Sequence, residues 1–199
     1  VYRKSLDSNN IAITGSAGKT SVKDLTGFCL NKLDKTYYSK NSFNNKYGVP
    51  LSIINSPQST KFSVLEVGMD KKGEIDTLTK LIRPNLGLIT NISYAHIKNF
   101  KNLDEIAKAK GEIINNISPS GVMIVNKDDK YCNYFISKAK MRNLNIITFS
   151  KKNKLADVVY LGERKNRNKF LCKFLINGKI KFFLIPDYLI AVSYTHLTL

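Results

Sequence analysis

The run Ile11-Ala12-Ile13-Thr14-Gly15-Ser16-Ala17-Gly18-Lys19-Thr20-Ser21 constrains this chain more than any other part of it. An apolar, β-type stretch ends in a turn bracketed by two glycines, and the turn opens directly into a helical pattern. Gly15 and Gly18 let the backbone curl so that successive N–H groups face inward on an anion. Lys19 adds a mobile positive charge, and the Thr20 hydroxyl can sit on a magnesium ion. A plain strand-to-helix turn uses glycine and serine but has no need of a Gly-Lys-Thr-Ser exit. The run therefore predicts a phosphate-binding loop built from Gly15, Ser16, Ala17, Gly18, Lys19, Thr20 and Ser21. The loop is shorter than the usual Walker form, which places a glycine five residues before Gly18, where this chain has Ile13.

Beyond the loop, short apolar runs alternate with helical periods. Strands are predicted at 11–14, 36–39, 62–67, 86–92, 122–126 and 146–149, and helices at 19–33, 74–82, 103–117 and 130–142. Such alternation predicts an α/β fold, a mostly parallel sheet with flanking helices. After Lys154 the texture turns to β-type runs at 158–161, 170–176 and 180–185. Asn177-Gly178, between the last two, is a strong two-residue hairpin signal. A small antiparallel β extension is expected near the C-terminus. The expected division is one domain over 1–186, with an α/β core at about 9–150 and the β extension at about 155–186.

A chain of 199 residues has ample length for a core. It starts at Val1, immediately before the loop strand, and so reads as a fragment. No apolar run reaches membrane-spanning length and no secretory leader is evident, which argues against a membrane partner. Cys29, Cys132 and Cys172 show no metal-ligand spacing and fit unpaired thiols in a reducing cytoplasm. The net charge of +17 raises nucleic acid as a partner. Against that, the lysines are scattered through every segment and accompanied by abundant asparagine, the pairing that A-rich codons produce. The compact basic stretches, Lys151–Lys154 and Arg164–Lys169, read as loops.

Three residues carry further chemistry. Glu66 sits near the C-terminal end of a buried-strand pattern, beside the phosphate loop, where a carboxylate can hold the magnesium of a nucleotide. His96 follows another strand whose end opens onto the same cleft; it reads either as a metal or phosphate ligand or as a satisfied structural histidine. The apolar stripe Leu103, Ile106, Ile113, Ile117 steps at helical spacing and includes Lys110. A lysine on that stripe either snorkels from its edge or is an amine held deprotonated enough to be modified or to act at a site. The segment 41–50 reads as a polar loop at the ligand edge.

Read in order, these segments resemble the central, ATP-binding domain of the Mur ligases, the bacterial enzymes that build the peptide of the cell-wall precursor. The blocks that carry the likeness are Thr14–Ser21, Asn44-Asn45-Lys46-Tyr47-Gly48-Val49-Pro50-Leu51, Glu66-Val67-Gly68-Met69 with Gly73-Glu74-Ile75, Asn91 through His96, and Ile106–Ile113. They resemble most the branch that joins D-alanyl-D-alanine to UDP-N-acetylmuramoyl-tripeptide. The resemblance implies ATP-dependent amide ligation through an acyl phosphate, in a monomeric cytoplasmic bacterial enzyme. It implies that Gly15–Ser21 cradle the phosphates, with Lys19, His96 and Lys110 catalytic. Thr20 and Glu66 would hold a first magnesium, His96 and a carbamate on Lys110 a second. Asn44 and Asn45 would line the nucleotide or substrate cleft.

The family's N-terminal and C-terminal domains have no counterpart in these residues, so a fragment inactive as a ligase is expected. Residues 187–199 depart from the family's continuation, and from about Ala191 resemble translated adaptor sequence; His196 is given no role. Two other readings compete. One is a different amide ligase of the same superfamily, such as a tripeptide-forming ligase or folylpolyglutamate synthetase. The other is a basic phosphate-loop module that binds nucleic acid.

Overall fold

The computed structural model describes residues 7–39, 41–94 and 99–186. His96 and the 187–199 tail lie outside the described residues. Six strands come first: β1 (Asn9–Thr14), β2 (Thr36–Tyr38), β3 (Phe62–Glu66), β4 (Leu86–Ile89), β5 (Val122–Asn126) and β6 (Asn145–Ser150). Between them run α1 (Lys19–Leu30), α2 (Gly48–Ile54), α3 (Glu74–Ile82), α4 (Leu103–Lys110) and α5 (Cys132–Met141). Three strands close the described chain: β7 (Val158–Asn166), β8 (Lys169–Ile176) and β9 (Lys179–Pro186). All nine form one sheet in the order β2-β3-β1-β4-β5-β6-β7-β8-β9.

Pairing is parallel from β2 through β7 and antiparallel across β7-β8-β9. The connection from β1 to β2 runs toward one edge of the sheet, and the later crossovers run toward the other. The right-handed crossover rule therefore sets α1 on one face and α2–α5 on the opposite face. Contacts agree: α1 packs on β1, β2 and β3, while α3 touches α2 and α4. Ala12, Ile13, Val64 and Leu65 on the central strands are fully enclosed, as residues covered on both sides must be. The reversal of direction around β1 leaves a crevice at the carboxyl ends of β1, β3 and β4, where open α/β sheets place their ligands.

Several expectations shift. Residues 90–92 leave the sheet instead of extending β4. The predicted helix 103–117 ends at Lys110 and tightens into a 3₁₀ segment, Gly111–Asn116. Part of the loop 41–50 is helical: α2 starts at Gly48, and Pro50, which lacks an N–H, falls in the first turn where none is needed. The basic stretch Arg164–Lys169 is mostly strand and tight turn, with Arg167 at φ +53°. The Asn177-Gly178 hairpin is present, with φ of +47° and +74° at the two turn residues. The β extension is continuous with the core, joined by the parallel pairs Phe149↔Val158 and Ser150↔Val159.

Candidate functional site: a phosphate loop and a buried carboxylate

The loop between β1 and α1 is clamped to the segment that follows β4. Ser16 N–H donates to the Asn91 carbonyl at 2.9 Å, and Ala17 N–H donates to Asn91 Oδ1 at 2.9 Å. Thr90 Oγ1 donates to the Ala17 carbonyl at 2.6 Å, and Ser16 Oγ bonds both the N–H and the carbonyl of Ser93. These bonds are why 90–93 breaks from the strand: its polar groups are spent on the loop. Gly15 sits at φ +147° with its Cα against Thr90, where a Cβ would lie 1.8 Å from Thr90 Oγ1. Only glycine fits there. Ile92 N–H donates to Asp129 Oδ2 at 2.7 Å, which anchors the far end of the same segment.

At Gly18, φ is +75° and a Cβ would meet nothing within 4 Å. Gly18 caps α1 with no side-chain hydrogen bond, and the first turn holds no acidic residue. An uncapped helix start facing open space is a binding end for an anion. Lys19 stands at that end, its Nζ 3.4 Å from the Ser16 carbonyl, and Ser21 lies in the same turn. Burial lowers the Lys19 amine from its ordinary value, and the charge of Glu66 opposes that shift.

Glu66 ends β3 with 1% of its surface exposed. Thr20 Oγ1 donates to its Oε2 at 2.7 Å, and Asn44 Nδ2 donates to its Oε1 at 2.6 Å. Ser42 Oγ lies 3.1 Å from Thr20 Oγ1. A buried carboxylate held by neutral donors, beside a threonine hydroxyl and an anion-binding helix end, is the oxygen-rich donor set that suits magnesium. The described residues hold no cluster of three His, Cys, Asp or Glu side chains.

Lys110 approaches from α4, 1% exposed, and its Nζ donates to the Gly15 carbonyl at 2.9 Å. Burial, and then the charge of Lys19, bring its pKa down to about 7. Of the two readings open for this residue, snorkelling is excluded. Asn45 is exposed; its Oδ1 accepts from Tyr47 N–H at 3.1 Å and Gly48 N–H at 2.9 Å, which starts α2. A cavity of about 830 Å³ adjoins the site, lined by Lys19, Asn44, Asn45, Tyr47, Gly68 and Glu74 among others. A second cavity, of about 570 Å³ on the β2 edge, is lined by none of the loop residues.

The model of the Mur ligase middle domain matches residues 13–189. The chain belongs to the Mur ligase family. Among curated Mur ligases, the UDP-N-acetylmuramoyl-tripeptide–D-alanyl-D-alanine ligase of Buchnera aphidicola is 38% identical over 152 residues, 76% of this chain and 33% of that protein. The enzyme of the same name from Rickettsia prowazekii is 34% identical over 177 residues, 88% of this chain and 39% of that one. The chain thus spans about a third of the length of the curated Mur ligases it matches. Among solved structures, MurF from Acinetobacter baumannii superposes with a TM-score of 0.84 and 28% identity, over 98% of this chain and 43% of that one. The fold is also that of the MurF ligase of Thermotoga maritima solved with ADP, at a TM-score of 0.79 over 96% of this chain and 46% of that one.

Sequence reasoning found Gly15–Ser21, Glu66, Lys110 and Asn44, and the structure brings these together. It missed Ser42, Thr90 and Asp129, whose contacts reach 22 to 73 residues along the chain.

Proposed function

We propose that this chain is the nucleotide-binding part of an ATP-dependent amide ligase that joins D-alanyl-D-alanine to UDP-N-acetylmuramoyl-tripeptide in the bacterial cytoplasm. The observation that carries the reading is the Thr20–Glu66 pair at 2.7 Å, set at the open end of α1 beside Lys19. The N–H groups at the open start of α1 and the Lys19 amine would hold the β- and γ-phosphates, the Ser16 and Ala17 N–H groups being spent on Asn91, and Thr20 with Glu66 would hold magnesium. That ion would supply charge neutralisation on the transferring phosphoryl group. The peptide carboxylate would attack the γ-phosphorus, ADP would leave, and the amine of D-alanyl-D-alanine would displace phosphate from the acyl phosphate. The amide forms as the C–O bond to phosphate breaks.

Lys110 would act in a second metal site as its carbamate, together with His96. The neutral amine adds to carbon dioxide, a C–N bond forms and one proton leaves. A pKa near 7 makes the neutral amine abundant at physiological pH. In the described structure the amine is bonded to the Gly15 carbonyl, so carbamylation must release that bond.

The family's flanking domains would bring the two substrates to this site, with residues 1–186 forming the middle domain of a monomer. The test is phosphate release by the full-length enzyme, dependent on both substrates. Lys19→Ala and Glu66→Ala are expected to lower it by a factor on the order of 10³. Lys110→Ala should inactivate the enzyme and recover in part with added short carboxylates. Wild-type rates in the Glu66 variant would overturn the magnesium assignment, and absence of release with D-alanyl-D-alanine would overturn the substrate.

A further inference from the structure

Among the described residues, Lys23 and Lys110 are the buried lysines, and only Lys110 is explained by the site above. Lys23 stands one helical turn after Lys19 on α1, with a side chain 0% exposed. An ammonium has three donors, and three acceptors surround this one: the Ser39 carbonyl, the Asn41 carbonyl at 2.8 Å and Asp24 Oδ1 at 3.0 Å. Asp24 is half exposed, so its share of the pairing is screened by water. The bond to the Ser39 carbonyl is buried and the bond to the Asn41 carbonyl is partly so.

Those carbonyls belong to Ser39, which follows β2, and to Asn41, in the turn at 41–42. The turn reverses through Asn41 at φ +53°, a left-handed conformation that is costly for a residue with a side chain and persists where its surroundings hold it. Ser42 and Asn44 follow at once, and they are the side chains that meet Thr20 and Glu66. On its other side Asn44 is held by the Gly68 N–H, 2.7 Å from its carbonyl. An apolar side chain would fill the Lys23 site without the desolvation cost of a charge. It could not donate to the Ser39 and Asn41 carbonyls.

We propose that Lys23 is a positioning residue for the metal–nucleotide site. Its ammonium ties the Ser39 and Asn41 carbonyls to α1, and so holds Ser42 and Asn44 in place around Thr20 and Glu66. It touches neither metal nor nucleotide. The assignment rests on the reading of the Thr20–Glu66 pair as a magnesium site.

The experiment titrates magnesium–ADP and metal-free ADP separately into the full-length enzyme and its Lys23→Met and Lys23→Arg variants, and follows amide hydrogen exchange at residues 42–45. Lys23→Met is expected to weaken magnesium–ADP about tenfold, the usual effect of removing an outer support of a metal site, while metal-free ADP changes less than about twofold. Exchange at 42–45 should speed up about tenfold. Lys23→Arg, which keeps the charge and the donors, should recover most of the magnesium–ADP affinity. Equal weakening of both nucleotide forms, or unchanged magnesium–ADP binding, overturns the proposal. A wild-type chain that binds ADP with no gain from magnesium would refute the magnesium reading instead. The exchange rates then decide for Lys23, and rates at 42–45 unchanged by Lys23→Met overturn its role. If Lys23→Met does not fold, Lys23→Gln, which keeps a donor without the charge, carries the same comparison.

Discussion

Lys110 gains its character from where a three- and four-residue spacing puts it. Its amine is driven to about 7 by burial first and by the charge of Lys19 second. In the unfolded chain the same amine titrates near its ordinary 10.5. Between those values the unfolded chain binds more protons, so stability rises with pH across the window, by about 1.4 kcal/mol per pH unit. Below about pH 7 both states carry the proton and the full cost of burying the cation is present. In metal-free, carbonate-free buffer, urea denaturation should therefore show the wild type gaining about 2 kcal/mol relative to Lys110→Met between pH 7 and 8.5. A difference that stays flat with pH would mean that the buried amine keeps its proton. The placement of Lys110 was legible because a helix face repeats in the sequence. Lys23 was not, because two of its three partners are main-chain carbonyls, which leave no mark in a sequence.

At the scale of elements, the strands and helices that repeat cleanly were legible and their ends were not. The helix through Lys110 stops there because the next residues serve α3. Both Glu112 oxygens accept from Gly73 N–H, at 2.8 and 3.1 Å, and Oε2 also accepts from Asp76 N–H at 3.2 Å. A carboxylate on the open end of α3 satisfies orphan donors and meets the positive end of the helix dipole. No local pattern shows a cap that comes from 36 to 39 residues away. Glu112→Ala should cost about 1 kcal/mol in chemical denaturation, since it removes the partner of two part-buried N–H groups. Glu112→Gln should recover part of it. Equal stability of Glu112→Ala and wild type would show that α3 is capped by water. The strand predicted through Ile92 failed for a related reason: bonds from 90–93 to the phosphate loop outweigh three more ladder positions.

Across the whole molecule, one sheet carries two kinds of strand. β1 lies between β3 and β4 with helices on both faces, and its Ala12 and Ile13 are fully enclosed. β9 pairs along one side, with β8, and Phe182, Phe183 and Leu184 on it are about half exposed. The sequence announced the last hairpin through Asn177-Gly178 but said nothing of its fusion to the core. That fusion rests on two residue pairs between β6 and β7, and so short a seam has no sequence signature. Hydrogen exchange depends on how much must open for an amide to reach water, so protection should fall along the sheet from centre to edge. Amides of Ile11, Ala12 and Ile13 should exchange at least about a hundredfold more slowly than those of β9. Magnesium–ADP should slow exchange at residues 15–20 and 42–45 and leave β8 and β9 unchanged, because Lys19, Thr20, Asn44 and Glu66 meet at the β1–β3 end of the sheet. Protection of β9 equal to that of β1, or ligand-induced slowing in β9, would show that the antiparallel half opens and closes with the nucleotide site as one cooperative unit.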